Sequence, residues 1–491
     1  MPHWGCYHDM DDEAAVAVLG ATRLLGGELP YRDWTTRHTP GTYFVTAFYF
    51  LFFGSGQLGT RSLMGVISSL SGLVIFDCSR RVVQGPLAYL PWLLWICGSL
   101  VEKPALNHHW FGALSTLICL RCLMVWVEKP GPRSSQWVGV SAALSSWFLQ
   151  SNGLSSLLMV LFVILRCRPV GVLRVGWSYL GTQCLLWLPW LPLAPQVWHN
   201  HVTILARHVQ FNNQPYSWKY LKEWLVSLQG MDLHQQTIHC LAAWSEFGRL
   251  VAQYGMFYIV ILLGLGLAER RRNRIGIVLA YACLAWALTT GYCQTIDYLS
   301  YAAPAFQLGL LALVARPWRG RNLVLGLWAG LELLGWLLRS WSIGLAFCYP
   351  VETRVGTYWA LSPQEAMAHN QLHVWIEKHC PPGTQVLAHP YFTRIYTLER
   401  LQDPIPQPIL VPWLFEEREF TDCVERLQRL KVPYIIHRVL SMEAIHNQYP
   451  QAPVEEFRAE YEKQFPRVFA HYHKVWAYSG YEVWAREETP P

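Results

Sequence analysis

The chain has 491 residues, of which 52% are hydrophobic and 15% are charged, and its formal net charge is +6. Soluble domains carry about 25% charged residues, so this composition excludes a chain that is surrounded by water throughout. A charge of +6 over this length does not indicate a nucleic-acid partner. Cysteines such as Cys97, Cys119 and Cys283 lie within apolar runs, where a thiol acts as a small hydrophobic group. The sequence predicts neither a zinc site nor a disulfide framework.

An acidic stretch, Asp11-Asp12-Glu13, stands near the start of the chain. It is followed by an amphipathic segment over residues 14–27 and a polar segment from Gly27 to Asp33. Acidic side chains are favoured at a helix N-terminus because the helix dipole places partial positive charge there. The residues therefore allow two interpretations: a solvated turn that caps a helix starting near Ala14, or a polar site at a membrane face.

Long apolar stretches dominate the chain from residue 42 to residue 345. A membrane-spanning helix needs about 20 mostly apolar residues, and we predict about 10–12 spans. The candidates are 42–54, 62–78, 86–100, 108–126, 136–149, 154–166, 174–193, 255–268, 275–292, 300–315 and 322–340. The stretch 136–166 is either one bent helix or two short ones, because Gln150-Ser151-Asn152-Gly153 interrupts it. The predicted fold class is mainly α, a polytopic transmembrane helical bundle with a small C-terminal α/β extramembrane domain.

The basic loops predict the orientation in the membrane, because Lys and Arg are retained on the cytoplasmic side. The most basic loops are Arg166–Arg174, Glu269–Arg274 and Arg316–Arg321. Placing them inside puts the loop 194–254 and the tail outside. The acidic N-terminal segment then falls on the outer side only if one early hydrophobic segment, of which 42–54 is the shortest, does not fully cross, or if one span boundary is wrong. We predict an integral protein of the bacterial inner membrane with its site and C-terminal domain on the periplasmic side.

Three domains follow from this reading: an external acidic loop with an amphipathic helix over 1–41, a transmembrane domain over 42–345, and a soluble domain over 346–491. The external loop 194–254 contains Trp198, Trp218, Tyr220 and Trp224. Trp and Tyr favour the headgroup region, so the loop is either an interfacial element or an ordinary external loop.

The tail after Tyr349 has the alternation of helix and strand that is typical of a small α/β domain. Ser362-Pro363-Gln364-Glu365 predicts a capping box that opens a helix extending to about Cys380. Strands are predicted at Val386–Ala388 and Tyr434–Ile436, and a helix at Glu416–Leu430. No phosphate-binding loop, nucleophile elbow or metal signature occurs in the tail, so we expect a lid or a partner-binding domain.

The start of the chain resembles the opening of the GT-C glycosyltransferases, the group that includes protein O-mannosyltransferases, the lipid A aminoarabinose transferase and bacterial family-39-like proteins. The resemblance covers residues 9–61. It consists of Asp12-Glu13, the amphipathic stretch ending in Gly27–Asp33, His38-Thr39-Pro40-Gly41 before a span, and Phe53-Gly54 with Arg61 beyond. This family places a transmembrane span before its acidic loop, so the resemblance implies that a first span is missing from the sequence.

The resemblance implies an inverting transfer of a hexose or pentose from a polyprenyl-phosphate-linked donor to a glycan, lipid or protein acceptor. One carboxylate of the first external loop would act as general base on the acceptor hydroxyl; we expect Asp12, with Asp11 as the alternate and Glu13 beside them. A phosphate leaving group needs positive charge rather than an acid. The candidates for binding substrate and phosphate are Arg32, Asp33, Arg37, His38 and Lys103, with Arg61 added if the early topology shifts.

Three more residues are expected to line the site: His108 and His109 in Asn107-His108-His109, and Asp297 at an external span end. Adjacent histidines on a helix point about 100° apart, so we do not expect them to bind one metal together. The cofactor question stays open, since external carboxylates could bind a divalent cation or the reaction could proceed without one.

Two other functions are compatible with the sequence. A transporter or flippase would show internal repeats and ionisable groups near the middle of the bilayer, and Glu332 is the main residue of that kind. A non-catalytic membrane assembly protein would use the tail to bind a partner.

Overall fold

The computed structural model describes residues 12–36, 38–102, 106–204, 273–290, 303–305, 307–312, 321–346, 349–360, 362–390, 392–406, 417–439 and 454–487. Most of these residues are helical, and a small domain with a β-sheet follows the last long helix. The predicted fold class, a helical membrane domain followed by a C-terminal α/β domain, is confirmed.

The first part of the chain is built from helices. They are α1 (Asp12–Leu25), α2 (Gly41–Phe53), α3 (Gln57–Val82), α4 (Leu90–Glu102), α5 (His108–Glu128), α6 (Pro132–Phe148), α7 (Gln150–Cys167), α8 (Val172–Trp187), α9 (Ala194–Trp198), α10 (Arg274–Thr290) and α11 (Arg321–Ala346). Short 3-10 helices cover Pro86–Tyr89 and Leu188–Leu193, and a π-helical turn covers His199–Ile204. The predicted spans overlap these helices, apart from two. The span 255–268 lies outside the described residues, and in the span 300–315 the described residues 303–305 and 307–312 are helical. The stretch 136–166 forms two helices because Leu149 is extended between them, with φ −159° and ψ 127°.

Within the described part of the chain, three helices, α3, α5 and α7, are long and apolar enough to cross a membrane. The protein is therefore an integral membrane protein. Helix α5 lies at the centre of the bundle, with Trp110, Leu117 and Trp126 almost fully buried. Cys119 and Cys122 have C-x-x-C spacing on this helix, but both are buried free thiols that pack in the apolar core.

The two ends of the bundle can be told apart by their contacts. At one end Trp126 donates a hydrogen bond to the Val170 carbonyl over 3.0 Å, and Arg81 pairs with Glu128. At the other end lie Asn107, Leu149 and residues 188–204, and this end touches the C-terminal domain through His199 and Glu419, 3.0 Å apart. We call this second end the capped face.

Helix α2 does not cross the bundle. It begins beside the capped end of α6, where Gly41 lies against Trp147 and Phe148. Four residues after its end, Gln57 donates a hydrogen bond to the Thr357 carbonyl of the C-terminal domain over 3.2 Å. Both ends of α2 therefore lie at the capped face. Its 13 residues measure about 20 Å, which is shorter than the ~30 Å hydrocarbon core.

The C-terminal domain is a three-layer α/β structure. Its helices are α12 (Pro363–His379), α13 (Arg394–Leu398), α14 (Glu417–Leu430) and α15 (Val454–Phe469); its strands are β1 (Tyr349–Val351), β2 (Tyr358–Ala360), β3 (Val386–His389), β4 (Tyr434–Arg438), β5 (Tyr472–Tyr478) and β6 (Tyr481–Arg486). The main sheet has the order β3-β4-β6-β5, with β3 and β4 parallel and the other neighbours antiparallel. Helix α12 packs on one face of this sheet, and α14 and α15 pack on the other.

The N-cap half of the predicted capping box is present, since Ser362 Oγ accepts a hydrogen bond from the Glu365 backbone N–H over 3.1 Å. The predicted helices and strands of the tail match α12, α14, β3 and β4. The sequence alone did not indicate β1, β2, the hairpin of β5 and β6, or α15.

Candidate active site

The acidic stretch opens α1. Asp12 is the first residue of this helix and Glu13 lies in its first turn, while Asp11 is outside the described residues. Helix α1 lies between the bundle and the C-terminal domain. Its Val18 packs in the core of the bundle, and its Leu19 packs in the core of the C-terminal domain. A Cβ at Gly20 would collide with the ring of Tyr43 on α2, so this glycine permits the close contact of the two helices.

The loop after α1 brings polar residues together at the capped face. Gly27 (φ 86°) and Tyr31 (φ 67°) both have left-handed backbone conformations. Strain of this kind at a residue that is not glycine persists only where the surroundings impose it, and it is common at functional sites. Asp33 accepts a hydrogen bond from the Leu29 backbone N–H over 2.8 Å and pairs with Arg32 over 2.6 Å. The hydrogen bond from Arg32 holds the pKa of the Asp33 carboxyl below its ordinary value.

Tyr31 links this loop to two distant parts of the chain. Its hydroxyl donates to the His38 carbonyl over 2.8 Å and lies 2.9 Å from His201 Nε2. Burial raises the pKa of Tyr31 well above its ordinary value, so the phenol stays protonated. Gln150 Nε2 lies 2.6 Å from His201 Nδ1. Because the Tyr31 proton goes to a carbonyl, its oxygen accepts from His201 Nε2–H, and Nδ1 accepts from Gln150. This assigns a neutral imidazole with its proton on Nε2.

The predicted histidines form one stack at the capped face. The ring centroids of His38 and His108 are 3.9 Å apart, and those of His108 and His109 are 4.1 Å apart. Asn107 caps α5, since its side chain accepts a hydrogen bond from the His109 backbone N–H over 3.0 Å. The three histidines predicted from the sequence, His38, His108 and His109, therefore lie together. Among the described residues, no group of three or more His, Cys, Asp or Glu side chains is placed to hold a metal ion.

A cavity of about 310 Å³ opens beside His201. Its polar lining comes from Thr39, Ser146, Gln150, Gln183 and His201, and its apolar lining includes Leu154, Leu157 and Trp187. Gln183 is held by the Tyr179 hydroxyl, to which it donates over 3.0 Å. The Thr39 hydroxyl is buried and has no hydrogen-bond partner in the described part of the chain. The accessible surface of the cavity is thus mostly apolar, with a few hydroxyl and amide residues in its lining.

A second cavity, of about 340 Å³, lies between α2, α3, α5 and α6. Its lining is almost entirely apolar and includes Phe48, Leu63, Phe111 and Leu144. The cavity extends from α2, at the capped face, to Leu70 and Ile118, which lie about midway along α3 and α5.

Of the remaining predicted residues, the structure describes Arg61 alone. Arg37, Lys103 and Asp297 lie outside the described residues. Arg61 lies near the start of α3, which is at the capped face because α2 does not cross. The sequence did not indicate His201, Gln150 or Gln183. The break at Gln150-Ser151-Asn152-Gly153 and the aromatic character of the loop 194–254 were the available signals.

No family model matches the sequence, and no curated protein sequence matches it. Solved structures do match. ArnT from Cupriavidus metallidurans bound to undecaprenyl phosphate has a TM-score of 0.57 and 12% identity, over 98% of this chain and 95% of that chain. Its apo form has a TM-score of 0.58 and 11% identity, with the same coverage. The Archaeoglobus fulgidus oligosaccharyltransferase, in complex with Zn and sulfate, has a TM-score of 0.52 and 11% identity, over 98% of this chain and 70% of that chain.

ArnT and the archaeal oligosaccharyltransferase are GT-C glycosyltransferases. This chain therefore shares the fold of these two proteins, as expected from the resemblance of residues 9–61.

Proposed function

We propose that the protein is a membrane glycosyltransferase that moves a sugar from a polyprenyl-phosphate-linked donor to a glycan, lipid or protein acceptor, with inversion. The observation that carries this proposal is the mostly apolar cavity at the capped face. Thr39, Gln150 and His201 are in its lining, and His201 contacts Tyr31 in the loop that follows the acidic helix α1. A donor of this class joins a polar sugar phosphate to a long apolar chain.

The two cavities suit the two ends of such a donor. Hydroxyl and amide groups beside Trp187 are suited to a sugar, because sugars combine many hydroxyls with an apolar ring face. The apolar cavity between α2 and α5 is suited to part of an isoprenoid chain. The structurally similar ArnT was solved with undecaprenyl phosphate bound, which supports a lipid phosphate as the carrier.

The chemistry that we propose requires a base and a cation. Asp12, with Asp11 as the alternate and Glu13 nearby, would remove the proton from the acceptor hydroxyl. The hydroxyl oxygen would attack the anomeric carbon as the bond from that carbon to the phosphate oxygen breaks, and the lipid phosphate would leave with the bonding electrons. Stabilising this leaving group needs positive charge.

Several residues are candidates for that charge. Arg32 is already paired with Asp33, so these two residues are better suited to shaping the loop. We therefore propose Arg37, Lys103 and Arg61 for the phosphate. His38, His108, His109 and Asp297 remain proposed lining residues of the donor and acceptor sites.

The test is the lipid profile of cells that lack the gene. Deletion should make a polyprenyl-phosphate-linked sugar accumulate, and the wild-type gene should reverse this. Asp12→Asn should fail to reverse it at normal protein level, whereas Asp422→Asn, which changes an exposed acid on α14, should succeed. An unchanged lipid profile after deletion would contradict the proposed function, and full rescue by Asp12→Asn would remove Asp12 from the mechanism.

We also propose that the capped face is the periplasmic side of a bacterial inner membrane. Arg81, Arg166 and Arg168 lie at the opposite end, where the positive-inside rule places the cytoplasm. Cysteines introduced at Ser55 and Ser479 should react with an impermeant maleimide in intact cells, and one at Lys129 should react only after lysis. Labelling of Lys129→Cys in intact cells would contradict this orientation.

A further inference from the structure

A buried ion pair joins the acidic helix to the C-terminal domain. Arg23, in the last turn of α1, is 8% exposed, and the side chain of Asp403 is fully buried. Arg23 Nη2 lies 2.8 Å from Asp403 Oδ2 and donates to the Ile405 carbonyl over 2.8 Å. The two residues are 380 positions apart in the sequence. The contact therefore ties the start of the chain to its last domain.

The same segment of the C-terminal domain also holds the loop after α1. The Thr35 backbone N–H donates to the Pro406 carbonyl over 3.0 Å. The guanidinium of Arg23 lies 5.9 Å from the centroid of the Trp34 ring, and Trp34 contacts Tyr43 of α2 edge-on at 4.8 Å. We call residues 403–406 the clamp segment. It fixes both α1 and the loop that carries Tyr31 and His38.

An apolar contact would serve stability at least as well as this ion pair. Removing two charges from water costs free energy that their attraction often fails to recover, and hydrophobic replacements of buried pairs are frequently neutral or stabilising. One turn away, Leu19 makes an apolar contact with the C-terminal core beside Tyr396. Arg23 adds what Leu19 cannot, because its hydrogen bonds to the backbone carbonyls of Asp403 and Ile405 fix an orientation, whereas apolar packing does not.

We propose that Arg23 and Asp403 are positioning residues, through which the C-terminal domain holds the acidic N-terminus of α1 in line with the cavity at the capped face. This inference rests on the proposed glycosyl transfer. Asp12 lies 11 residues before Arg23, about 16 Å along a rigid helix, so a small tilt at Arg23 moves Asp12 by ångströms. A misplacement of about 1 Å is enough to slow an enzyme about 100-fold.

The test uses the full-length protein in proteoliposomes, with the lipid-linked sugar that accumulates in the deletion strain as donor. Arg23→Gln should lower kcat about 100-fold and change the KM for the donor by less than about threefold. Arg23→Lys should recover part of kcat, because an ammonium reaches Asp403 but lacks the fork that also binds the Ile405 carbonyl. Arg354→Gln is the matched control, since Arg354 also donates to a backbone carbonyl, that of Cys380 over 2.6 Å, but within the C-terminal domain and not on the clamp segment; it should retain kcat.

Hydrogen–deuterium exchange tests the clamp without any assay of activity. Arg23→Gln and Asp403→Asn should each raise exchange in α1 while leaving β3 and β4 protected. If exchange rises and wild-type protein transfers no sugar, the clamp stands and the proposed function fails. If wild-type protein is active and Arg23→Gln keeps its kcat, or loses it only in proportion to folded protein, the positioning role is overturned.

Discussion

The Asp403 carboxyl should make the protein more stable as the pH falls from 7 to 5. Burial raises its pKa to about 6, against an ordinary value of 3.8, even though the nearby Arg23 guanidinium acts to lower it. The folded protein then binds a proton between pH 3.8 and 6 that the unfolded chain does not, so stability is lost as the pH rises through this range. A shift of about two units corresponds to about 3 kcal/mol in total, of which about 1.4 kcal/mol is gained between pH 7 and pH 5.

The measurement compares wild-type protein with Asp403→Asn. Both are unfolded with denaturant in detergent at pH 7, 6 and 5, and the free energy of unfolding is compared at each pH. Asparagine does not titrate, so the difference between wild type and variant should move in favour of wild type by about 1.4 kcal/mol on going from pH 7 to pH 5. Other titrating groups contribute equally to both proteins and cancel. A difference that stays flat, or that moves against wild type as the pH falls, would refute a carboxylate whose pKa is raised by burial away from water.

Three further changes test other parts of the structure. Burial lowers the pKa of His437 to about 4, so wild-type stability should fall by about 3 kcal/mol from pH 6.5 to pH 4 on this account, and unfolding of His437→Gln should show a shallower fall. Gly139→Ala should destabilise the bundle by about 1–3 kcal/mol, because its Cβ would collide with the Val175 carbonyl. Gly181→Ala, whose Cβ meets open space, should leave the melting temperature unchanged. Equal shifts in the melting temperatures of the two variants would contradict the packing. Tyr31→Phe removes the hydroxyl between His38 and His201, and should lower sugar transfer at least tenfold at normal protein level; wild-type activity would show that the link is dispensable.

The membrane helices could be predicted from the sequence because each depends on a local run of apolar residues. The tail was harder. Strands β3 and β4 are buried on both faces and read as short apolar runs, such as Tyr434-Ile435-Ile436. Strand β5 is an edge strand with mostly exposed residues, His473-Lys474 among them, so it carries no such run. An apolar run in the sequence predicts a strand only where the side chains of that strand are themselves buried.

The candidate site was predicted in part, for a related reason. The loop motif named His38, and the expected external turn named His108, and the two rings lie together. His201 is 170 residues from Tyr31, and Gln150 is 51 residues from His201. Contacts between such distant residues depend on how the helices assemble, and a single sequence contains no local trace of them. Arg23 escaped notice for the same reason, since its partner Asp403 belongs to another domain.

Helix α2 explains why the topology seemed inconsistent at the start of the chain. Counting each apolar segment as a crossing places the acidic segment and the tail on opposite sides of the membrane. With both ends of α2 at the capped face, the number of membrane crossings between the acidic segment and the tail falls by one, so the two lie on the same side. The contacts of Gln57 with Thr357 and of Arg23 with Asp403 can then both form. Its exposed Phe48, Leu51 and Phe52 give it the apolar surface of a helix that lies in the membrane interface. The helix that looked like the first span is instead the element that keeps α1, the histidine stack and the C-terminal domain on one face.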